Sequence, residues 1–471
     1  FVNLPHCWNA IDGQDGDNDY FRGTVYYAKA FSKNDLPEAE KYYLEIKGAN
    51  SSATVYLNGK ELAHHDGGYS TWRVNITDSI EFSNLLVISV DNSANETVYP
   101  QMADFTFYGG IYRDVNIICV KESHFDLDFF GSQGIAVTPT VDGENAKIHI
   151  ETYITNAKMG QTVRYTIYDG QKNVVDSVET ADTTADLVIN KVHLWNGKFD
   201  PYLYCCEAEL IENGQVIDNI CTRFGCRTFE IDAENGFILN GEEYPLRGVS
   251  RHQDRWGVGN ALTREHHEED IDLIMEMGAT TIRLAHYQHD QYFYDLCDQI
   301  GFAVWAEIPY ISHHLPGKEA YDVTISMMTE LIAQCYNHPS IVTWGISNEI
   351  TISTKNTKDM LDNHRALQKF VKELDPSRPT PLACYAMCHP FHPVSKITDI
   401  VAWNLYLGWY VPGLFLNNFW VDFFHWKYPN RCLGYSEYGC EAMPNLHSSH
   451  PHRGDHTEED QCIYHEDMLK C

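Results

Sequence analysis

Apolar and polar residues alternate in short runs over the first half of the chain. Between Tyr20 and about Val120, turn signals such as Asn58-Gly59 separate these runs, which span residues 24–28, 42–46, 53–57 and 85–90. A period of two residues is typical of half-buried strands in an antiparallel sheet. The pattern therefore predicts a β-sandwich domain over residues 1–122.

A second stretch with the same periodicity follows. Its clearest runs span residues 147–153 and 163–168, and Asn213-Gly214 is typical of a tight hairpin turn. About 100 residues with many short strands are typical of an immunoglobulin-like sandwich, although the Cys-Trp-Cys spacing of antibody domains is missing. We therefore predict an immunoglobulin-like β-sandwich over residues 123–229.

After Asn240-Gly241 the pattern changes to strands that alternate with helices. The predicted strands span residues 244–249, 280–285, 302–306, 341–346, 381–385, 399–405 and 432–436, and the predicted helices span 264–277, 290–300, 323–336, 358–374 and a segment from Thr457 onward. This order predicts a (β/α)8 TIM barrel over residues 230–471 that lacks its eighth strand in this chain. Because Phe1 also begins within a motif, we expect a fragment of a longer protein.

The net charge of −32 over 471 residues argues against nucleic acid or an anionic membrane as partner. No apolar run reaches 18 residues, which also excludes a predicted membrane helix. The first residues show no basic n-region and no apolar h-region, so a signal peptide is absent or was removed before residue 1. We expect a cytoplasmic, bacterial-type protein; secretion stays open because the N-terminus looks incomplete. The 14 cysteines form no Cys-x-x-Cys pattern, which predicts reduced thiols. Oligomeric state, including a homo-oligomer, is left open.

Two short apolar runs each end in a single glutamate. One run, residues 343–349, ends in Glu349, and the other places Glu437 within residues 433–439. In a parallel barrel the carboxyl ends of the strands form the active-site face. Two carboxylates at that face are what hydrolysis of a glycosidic bond requires. Either glutamate alone is explained equally well by an ion pair with Arg or Lys that holds a loop.

Polar residues recur at the ends of six predicted barrel strands. They are the stretches 247–252 and 283–287, the residues Glu307, Glu349 and Glu437, and the pair Asn404 and Tyr406. A single strand-end histidine is most often a structural residue, but side chains at six strand ends would converge over the barrel mouth. This convergence favours an active site over a purely structural role.

Three barrel stretches, residues 251–254, 278–287 and 337–349, resemble the catalytic domain of glycoside hydrolase family 2. In the N-terminal sandwich, residues 107–115 resemble the family's jelly-roll-like sugar-binding domain. The resemblance covers essentially the whole chain. The wording of Arg-His-Gln-Asp-Arg at 251–255 and Ala-Glu-Ile-Pro-Tyr at 306–310 is most similar to β-galactosidases.

The resemblance implies roles for individual residues. It implies that Glu349 is the general acid/base and that Glu437 is the nucleophile, with their carboxyl groups about 5–5.5 Å apart as in retaining enzymes. It implies further that sugar-binding residues surround this pair, with Asp104 reaching the barrel mouth from the sandwich. These expected substrate-binding residues are Asp104, His252, His286, Asn348, Asn404, Tyr406 and Trp409. Wall packing is an equal alternative for His252 and Trp409.

The resemblance therefore implies a retaining exo-β-glycosidase that acts on terminal β-D-galactosides, with an oligosaccharide or another β-galactoside as substrate. One alternative is a β-glucuronidase or another sugar specificity within the family. Against β-glucuronidase, no Asn-x-Lys occurs between Glu437 and Cys471, the arrangement with which that branch binds the substrate carboxylate. An alternative of another class is an inactive carbohydrate-binding fragment, because a barrel without its eighth strand leaves open strand edges.

The sequence predicts no required cofactor and no metal site. In the metal-dependent β-galactosidases a Glu two residues before a His binds Mg²⁺ after the third strand, but here Ile311 precedes His313. Mg²⁺ or Na⁺ is thus unsupported. The histidines at 447, 450, 452 and 456 lack the spacing of a metal site, and a solvated loop explains them better.

Overall fold

A computed structural model describes residues 1–12 and 20–471. The N-terminal part is a β-sandwich in which a four-stranded sheet, in the order β1-β7-β4-β5, faces a three-stranded sheet, β6-β2-β9. Its strands are β1 (Thr24–Ser32), β2 (Lys41–Ile46), β3 (Ala49–Asn50), β4 (Ser52–Leu57), β5 (Lys60–Asp66), β6 (Trp72–Asn75), β7 (Ser83–Asp91), β8 (Gly110–Ile111) and β9 (Val115–Val120). The alternating residues of β7 are buried and exposed in turn, as the sequence period of two predicts.

The second part is also a sandwich of antiparallel sheets. A three-stranded sheet, β11-β12-β16, packs against a four-stranded sheet, β15-β14-β17-β18. The strands are β10 (His124–Phe125), β11 (Ile135–Asp142), β12 (Asn145–Thr152), β13 (Ile154–Thr155), β14 (Thr162–Tyr168), β15 (Val174–Thr180), β16 (Thr184–Ile189), β17 (Tyr204–Glu212) and β18 (Gln215–Phe224). A small sheet of β19 (Phe229–Asp232), β20 (Gly236–Leu239) and β21 (Glu242–Glu243) leads into the barrel.

The third part alternates parallel strands with helices. Its strands are β22 (Gly248–Arg251), β23 (Thr281–Leu284), β24 (Ala303–Glu307), β25 (Ile341–Gly345), β26 (Pro381–Cys384), β27 (Ile400–Asn404) and β28 (Cys432–Glu437). Its helices are α1 (Arg264–Glu276), α2 (Gln291–Ile300), α3 (Lys318–Cys335), α4 (Thr357–Leu374), α5 (Leu416–Lys427) and α6 (Glu458–Met468). The predicted immunoglobulin-like sandwich and barrel fold are therefore confirmed.

Seven strands form one continuous arc of the barrel within the described residues. β22 to β25 pair in chain order, as do β26 to β28, and all these pairs are parallel. Backbone bonds from Ile346 to Pro381 (3.2 Å) and from Glu349 to Ala383 (2.8 Å) join the two groups. The described residues provide no strand between β28 and β22, which confirms the predicted count of seven.

Local signals determine most helix ends. The Asp290 side chain accepts a hydrogen bond from the Tyr292 N–H at the start of α2, and Gly301 ends that helix with a φ of 92°. The first barrel strand begins later than predicted, at Gly248 instead of 244. Pro245 has no N–H to donate, and the Tyr244 N–H donates to the Phe237 carbonyl, which closes the preceding hairpin.

Helix α5 was not predicted from the sequence. Its sequence places Phe419 and Trp426 on the exposed side, while Phe424 is buried. Apolar residues thus occur all round the helix and hide the helical period of 3.6 residues on which the prediction depends. None of the described helices is long and apolar enough to cross a membrane.

The prediction of reduced thiols is wrong for two of the 14 cysteines. Cys205 on β17 and Cys221 on β18 form a disulfide with a Cα–Cα distance of 6.7 Å. The two residues are diagonal neighbours on paired strands, since Cys205 lies opposite Arg223 and Cys221 lies opposite Glu207. Because the contact follows from strand register, cysteine spacing along the sequence does not reveal it.

A buried arginine joins the N-terminal sandwich to the barrel. Arg113 donates hydrogen bonds to the Tyr69 carbonyl (2.6 Å) within the sandwich. Across the boundary it donates to the Gln253 side chain (2.8 Å) and to the Gln288 carbonyl (3.1 Å). Tyr69 also stacks on Tyr287 of the barrel with ring centroids 4.2 Å apart. The sandwich is therefore held at the carboxyl ends of β22 and β23.

We expect Arg113→Ala to destabilise the protein by about 2–4 kcal/mol, because it leaves several buried carbonyl and amide oxygens without a donor. Denaturant unfolding followed by tryptophan fluorescence measures the loss. Arg164→Ala is the matched control, since Arg164 forms only exposed ion pairs with Glu179 and Glu209. A midpoint for Arg113→Ala equal to that of the control would contradict the assigned role of Arg113.

Candidate active site

The strand-end residues predicted from the sequence meet in one place. Arg283 on β23 contacts both Glu307 at the end of β24 and Glu437 at the end of β28. It also donates a hydrogen bond to Asn348, which follows β25 (2.9 Å). Side chains from four strands thus share a single guanidinium. These hydrogen bonds agree with the convergence of strand-end side chains that the sequence predicts.

Glu437 is surrounded by groups that favour its ionised form. Arg283 Nη1 lies 2.7 Å from Glu437 Oε1, and the Tyr406 hydroxyl donates to Oε2 at 2.6 Å. Burial alone would raise the pKa of Glu437, but the charge of Arg283, then His286 and then the Tyr406 hydroxyl, lower it below the ordinary value. Burial and the charge of Glu437 in turn raise the pKa of Tyr406, which keeps its proton as a donor.

Glu349 has the opposite environment. Burial and, next, the negative charge of Glu437 raise the pKa of Glu349 to about 7, and Asp104 adds to this effect. The Asn404 amide donates a hydrogen bond to Glu349 Oε1 at 2.9 Å. The backbone of Glu349 is in the left-handed region with a φ of 49°. The site therefore holds one carboxyl that favours its proton and one that favours its charge.

A chain of amides positions Glu349. Ser436 donates to the Asn404 oxygen at 2.7 Å, which orients the Asn404 amide towards Glu349. The same amide nitrogen lies 3.2 Å from the oxygen of Asn348. Asn348 and Asn404 are both buried, so their side-chain orientations are fixed by these contacts. Asn348, Asn404 and Tyr406 thus lie beside the two glutamates, where the resemblance placed them.

Two histidines and a phenylalanine form one wall. His286 Nε2 lies 3.7 Å from Glu437 Oε1, and the His286 ring is T-shaped to His252 at 5.1 Å. Burial, and then the charge of His286, lower the pKa of His252 to about 3, so His252 stays neutral. Phe105 of the sandwich packs on both rings, at centroid distances of 4.9 Å from His252 and 5.9 Å from His286. His252 therefore packs within this wall, and its contact with a sugar stays a prediction.

Asp104 is exposed beside Phe105. Its negative charge contributes to raising the pKa values of Glu349, Tyr406 and Tyr410. This places it in the electrostatic surroundings of the pair, while its contact with a sugar stays a prediction. Trp409 is buried and packs T-shaped on His456 at 5.1 Å. This contact favours wall packing for Trp409.

Three residues of the site were not predicted as site residues from the sequence: Arg283, Glu307 and Phe105. Arg283 and Glu307 occur in stretches that the sequence analysis singled out, at the ends of the second and third barrel strands. Their isolation as single charged residues in buried strands was an available signal. Phe105 carried none, because its contact with the barrel depends on how the sandwich docks.

The described residues contain one group of side chains whose geometry could bind a metal ion, Asp295, Asp298 and His338. An internal ion pair already uses it, since His338 Nδ1 lies 2.6 Å from Asp298 and Arg223 lies 2.9 Å from Asp295. His313 contacts Ser353 at 2.9 Å, and exposed His447 pairs with Glu459. None of these contacts supports a metal ion at the two places weighed from the sequence.

Profiles of one family match three parts of the chain. The profile described as "Glycosyl hydrolases family 2, TIM barrel domain" matches residues 229–470. Residues 133–227 match "Glycosyl hydrolases family 2", and residues 18–117 match "Glycosyl hydrolase 2 galactose-binding domain-like". The matched parts follow the three units of the fold.

Named relatives and solved structures are similar over nearly the whole chain. A β-glucuronidase from Bacteroides fragilis is 36% identical over 464 residues, covering 94% of this chain and 65% of the relative. A crystal structure of an FMN-binding β-glucuronidase from Facaelibacterium prausnitzii L2-6 is 45% identical, with a TM-score of 0.97, and this chain covers 73% of it. A β-galactosidase from Thermoanaerobacter pseudethanolicus is 28% identical over 86% of this chain and 53% of the relative. The chain thus spans about two thirds of the β-glucuronidase relative and about half of the β-galactosidase relative.

We expect Glu349→Gln to stabilise the protein increasingly as the pH rises from 5 to 8. The pKa of Glu349 is raised, so its proton favours the fold below the unfolded value near 4.5, and this contribution is lost as the pH rises through about 7. A shift of this size corresponds to at most about 3 kcal/mol. Gln keeps the neutral form at every pH. Melting temperatures measured against pH, with exposed Glu234→Gln as control, test this; a parallel pH course for both variants would refute the raised pKa.

Proposed function

Because the chain belongs to glycosyl hydrolase family 2, we propose that it cleaves terminal β-glycosidic bonds with retention of configuration. One observation carries the proposal: the two strand-end glutamates, Glu349 and Glu437, have pKa shifts of opposite direction in one site. A retaining glycosidase needs such a pair, one carboxyl protonated and one ionised. An ion pair that merely held loops would need no protonated partner.

In the first step Glu437 attacks the anomeric carbon, and Glu349 donates its proton to the leaving oxygen. Arg283 and Tyr406 keep Glu437 ionised and orient its two oxygens. We propose that Asn348 holds the sugar 2-hydroxyl; its oxygen accepts a hydrogen bond from Arg283 at 2.9 Å, which fixes the orientation of its amide. The products of this step are the free aglycone and a glycosyl ester on Glu437.

In the second step Glu349, now ionised, accepts a proton from water. The water attacks the anomeric carbon from the side that the aglycone left, and the ester bond to Glu437 breaks. Two inversions give net retention. Both steps use the same carboxyl of Glu349, first as acid and then as base, which suits a pKa of about 7.

We propose a β-D-glucuronide as the substrate and a β-D-galactoside as the second candidate. The support is that relatives named β-glucuronidase match at 36% and 45% identity, whereas a relative named β-galactosidase matches at 28%. The sequence stretches that begin at Arg251 and Ala306 favour the galactoside, because they are most similar to β-galactosidases. Those stretches build the hydrolytic centre, which both activities share, so they discriminate poorly between sugars.

We expect Glu437→Ala to lose turnover of every substrate, because no group then forms the glycosyl ester. Glu349→Ala should retain the first step on substrates with good leaving groups, such as dinitrophenyl glycosides, which need no proton. Azide should rescue Glu349→Ala and give a β-glycosyl azide, because a small anion replaces the activated water. Exposed Glu441→Ala is the control. An α-azide product, or equal losses for both leaving groups, would show that the roles are assigned wrongly.

A panel of nitrophenyl β-glycosides tests the substrate. We expect kcat/KM for the glucuronide to exceed that for the galactoside at least about tenfold, the effect of about 1.4 kcal/mol of differential binding in the transition state. The panel is run on this chain and on a longer chain, because the relatives are longer. A preference for the galactoside would favour the second candidate. Binding of sugars without turnover by both chains would favour an inactive carbohydrate-binding protein.

A further inference from the structure

Glu307 is a buried carboxylate that the two-step mechanism does not use. It lies at the end of β24 with none of its surface exposed. Its Oε1 lies 2.8 Å from Arg283 Nη2 and 2.7 Å from His286 Nδ1, and its Oε2 lies 3.1 Å from Arg283 Nε. Arg283 and His286 are two of the groups that face the Glu437 carboxylate. Glu307 therefore contacts both of these groups.

The contact with Glu307 determines the tautomer of His286. A carboxylate oxygen only accepts hydrogen bonds, so a ring nitrogen 2.7 Å away must carry a proton. Arg283 Nη2 lies 3.1 Å from the same ring nitrogen, but a guanidinium nitrogen only donates and cannot accept the Nδ1 proton in place of Glu307. Nδ1 thus holds the proton, and Nε2 is turned towards Glu437 Oε1 at 3.7 Å.

The same carboxylate fixes the orientation of Arg283. Glu307 accepts from Nε and Nη2 along one edge of the planar guanidinium. The remaining nitrogen, Nη1, is then directed at Glu437 Oε1 at 2.7 Å. Without Glu307 the guanidinium would keep Glu437 on Nη1 and Asn348 on Nη2, but Nε would lose its carboxylate and the group would gain rotational freedom. Two-point contact with Glu307 removes that freedom.

Charge neutralisation alone is the competing explanation. Arg283 is one buried cation between two buried anions, Glu307 and Glu437, so a neutral residue at 307 would leave a balanced pair. A second anion close to the nucleophile opposes ionisation of Glu437. Beside a neutral His286 its presence is unnecessary for the charge balance, and it is explained if the carboxylate directs the two groups that it touches. The pH dependence of the reaction separates these two explanations.

We propose that Glu307 is a positioning residue, which holds Arg283 against Glu437 and fixes the Nδ1-protonated tautomer of His286. This inference rests on the proposed function for Glu437. Glu307 does not touch the reacting atoms, and its effect passes through Arg283 and His286.

The test is Glu307→Gln, which keeps the size of the side chain but places an NH2 group against a donor of Arg283 or His286. The probe is 2-deoxy-2-fluoro-β-D-glucuronosyl fluoride, together with its galactosyl counterpart. Fluoride leaves without a proton from Glu349, so the inactivation rate reports the nucleophile. We expect the second-order rate to fall about 100-fold, as for misplacement of reacting groups.

The pH dependence separates positioning from charge balance. The titratable and charged groups around Glu437 come from four other strands. Arg283 lies on the second strand and His286 follows it, while His252, Glu349 and Tyr406 follow the first, fourth and sixth strands. Loss of the directed Arg283 contact should move the acid limb of inactivation to higher pH by about one unit. An unchanged limb, or one moved to lower pH, would mean that Glu307 only offsets the charge of Arg283, and it would overturn the proposal.

Controls separate the proposal from its premise. Peptide mass mapping of the wild-type protein tests whether the probe labels Glu437, and absence of that label refutes the premise without bearing on Glu307. Asp298→Asn is the matched variant, because Asp298 is also buried and pairs with His338 at 2.6 Å outside the site. It should leave the acid limb in place.

A measurement on the unaltered protein removes the dependence on a variant that folds. Nitrogen NMR of ¹⁵N-histidine-labelled protein, with His286 assigned by loss of its signals in His286→Asn, should place the proton on Nδ1. A proton on Nε2 alone overturns the inference whatever Glu307→Gln does. If Glu307→Gln melts at much lower temperature than wild type, Glu307→Asp replaces it. This variant keeps the charge but is too short to reach both partners, and the same shift of the acid limb is expected.

Discussion

The guanidinium of Arg283 is the contact on which the rest of the candidate site depends. It is buried on β23, and its nitrogens reach Glu307, Glu437 and Asn348 at the ends of three other barrel strands. A buried cation is stable only when nearly all its donors are used, so the positions of its partners are fixed together with it. The strand ends therefore cannot move independently. Removal of any one of these partners would leave a buried donor of Arg283 without an acceptor.

This constraint extends beyond the barrel. Phe105 of the N-terminal sandwich packs on His286, which shares contacts with Arg283, and Arg113 holds the sandwich against the same strand ends. Tyr69 and Tyr287 stack at the boundary. The wall of the site thus includes a second domain. Docking of the sandwich and geometry of the hydrolytic centre are parts of one packed structure, which explains why a polar group as costly to bury as Arg113 lies between them.

Much of this could be predicted from the sequence, and the failures have physical causes. Glu349 and Glu437 were found because each ends a short buried strand, a signal contained in a few neighbouring residues. The disulfide between Cys205 and Cys221 depends on strand register, and the contact of Phe105 with His252 depends on how the sandwich docks on the barrel. Local sequence patterns contain neither kind of information. Helix α5 was missed because its exposed side is also apolar. The comparisons support the glucuronide better than the galactoside that the sequence motifs favour, and the reason is related: those motifs build the shared hydrolytic centre.

The division of roles between the two glutamates follows from their position relative to Arg283. Glu437 contacts the Arg283 cation directly, whereas Glu349 accepts a hydrogen bond from the neutral Asn404 amide and has Glu437 as a neighbouring anion. In the proposed mechanism the glycosyl ester removes the charge of Glu437, which after burial is the largest cause of the raised pKa of Glu349. The pKa of Glu349 must then fall, and the group that began as an acid becomes a base when water arrives. Hydrolysis of the ester restores the charge on Glu437 and raises the pKa of Glu349 again, so one electrostatic coupling serves both steps.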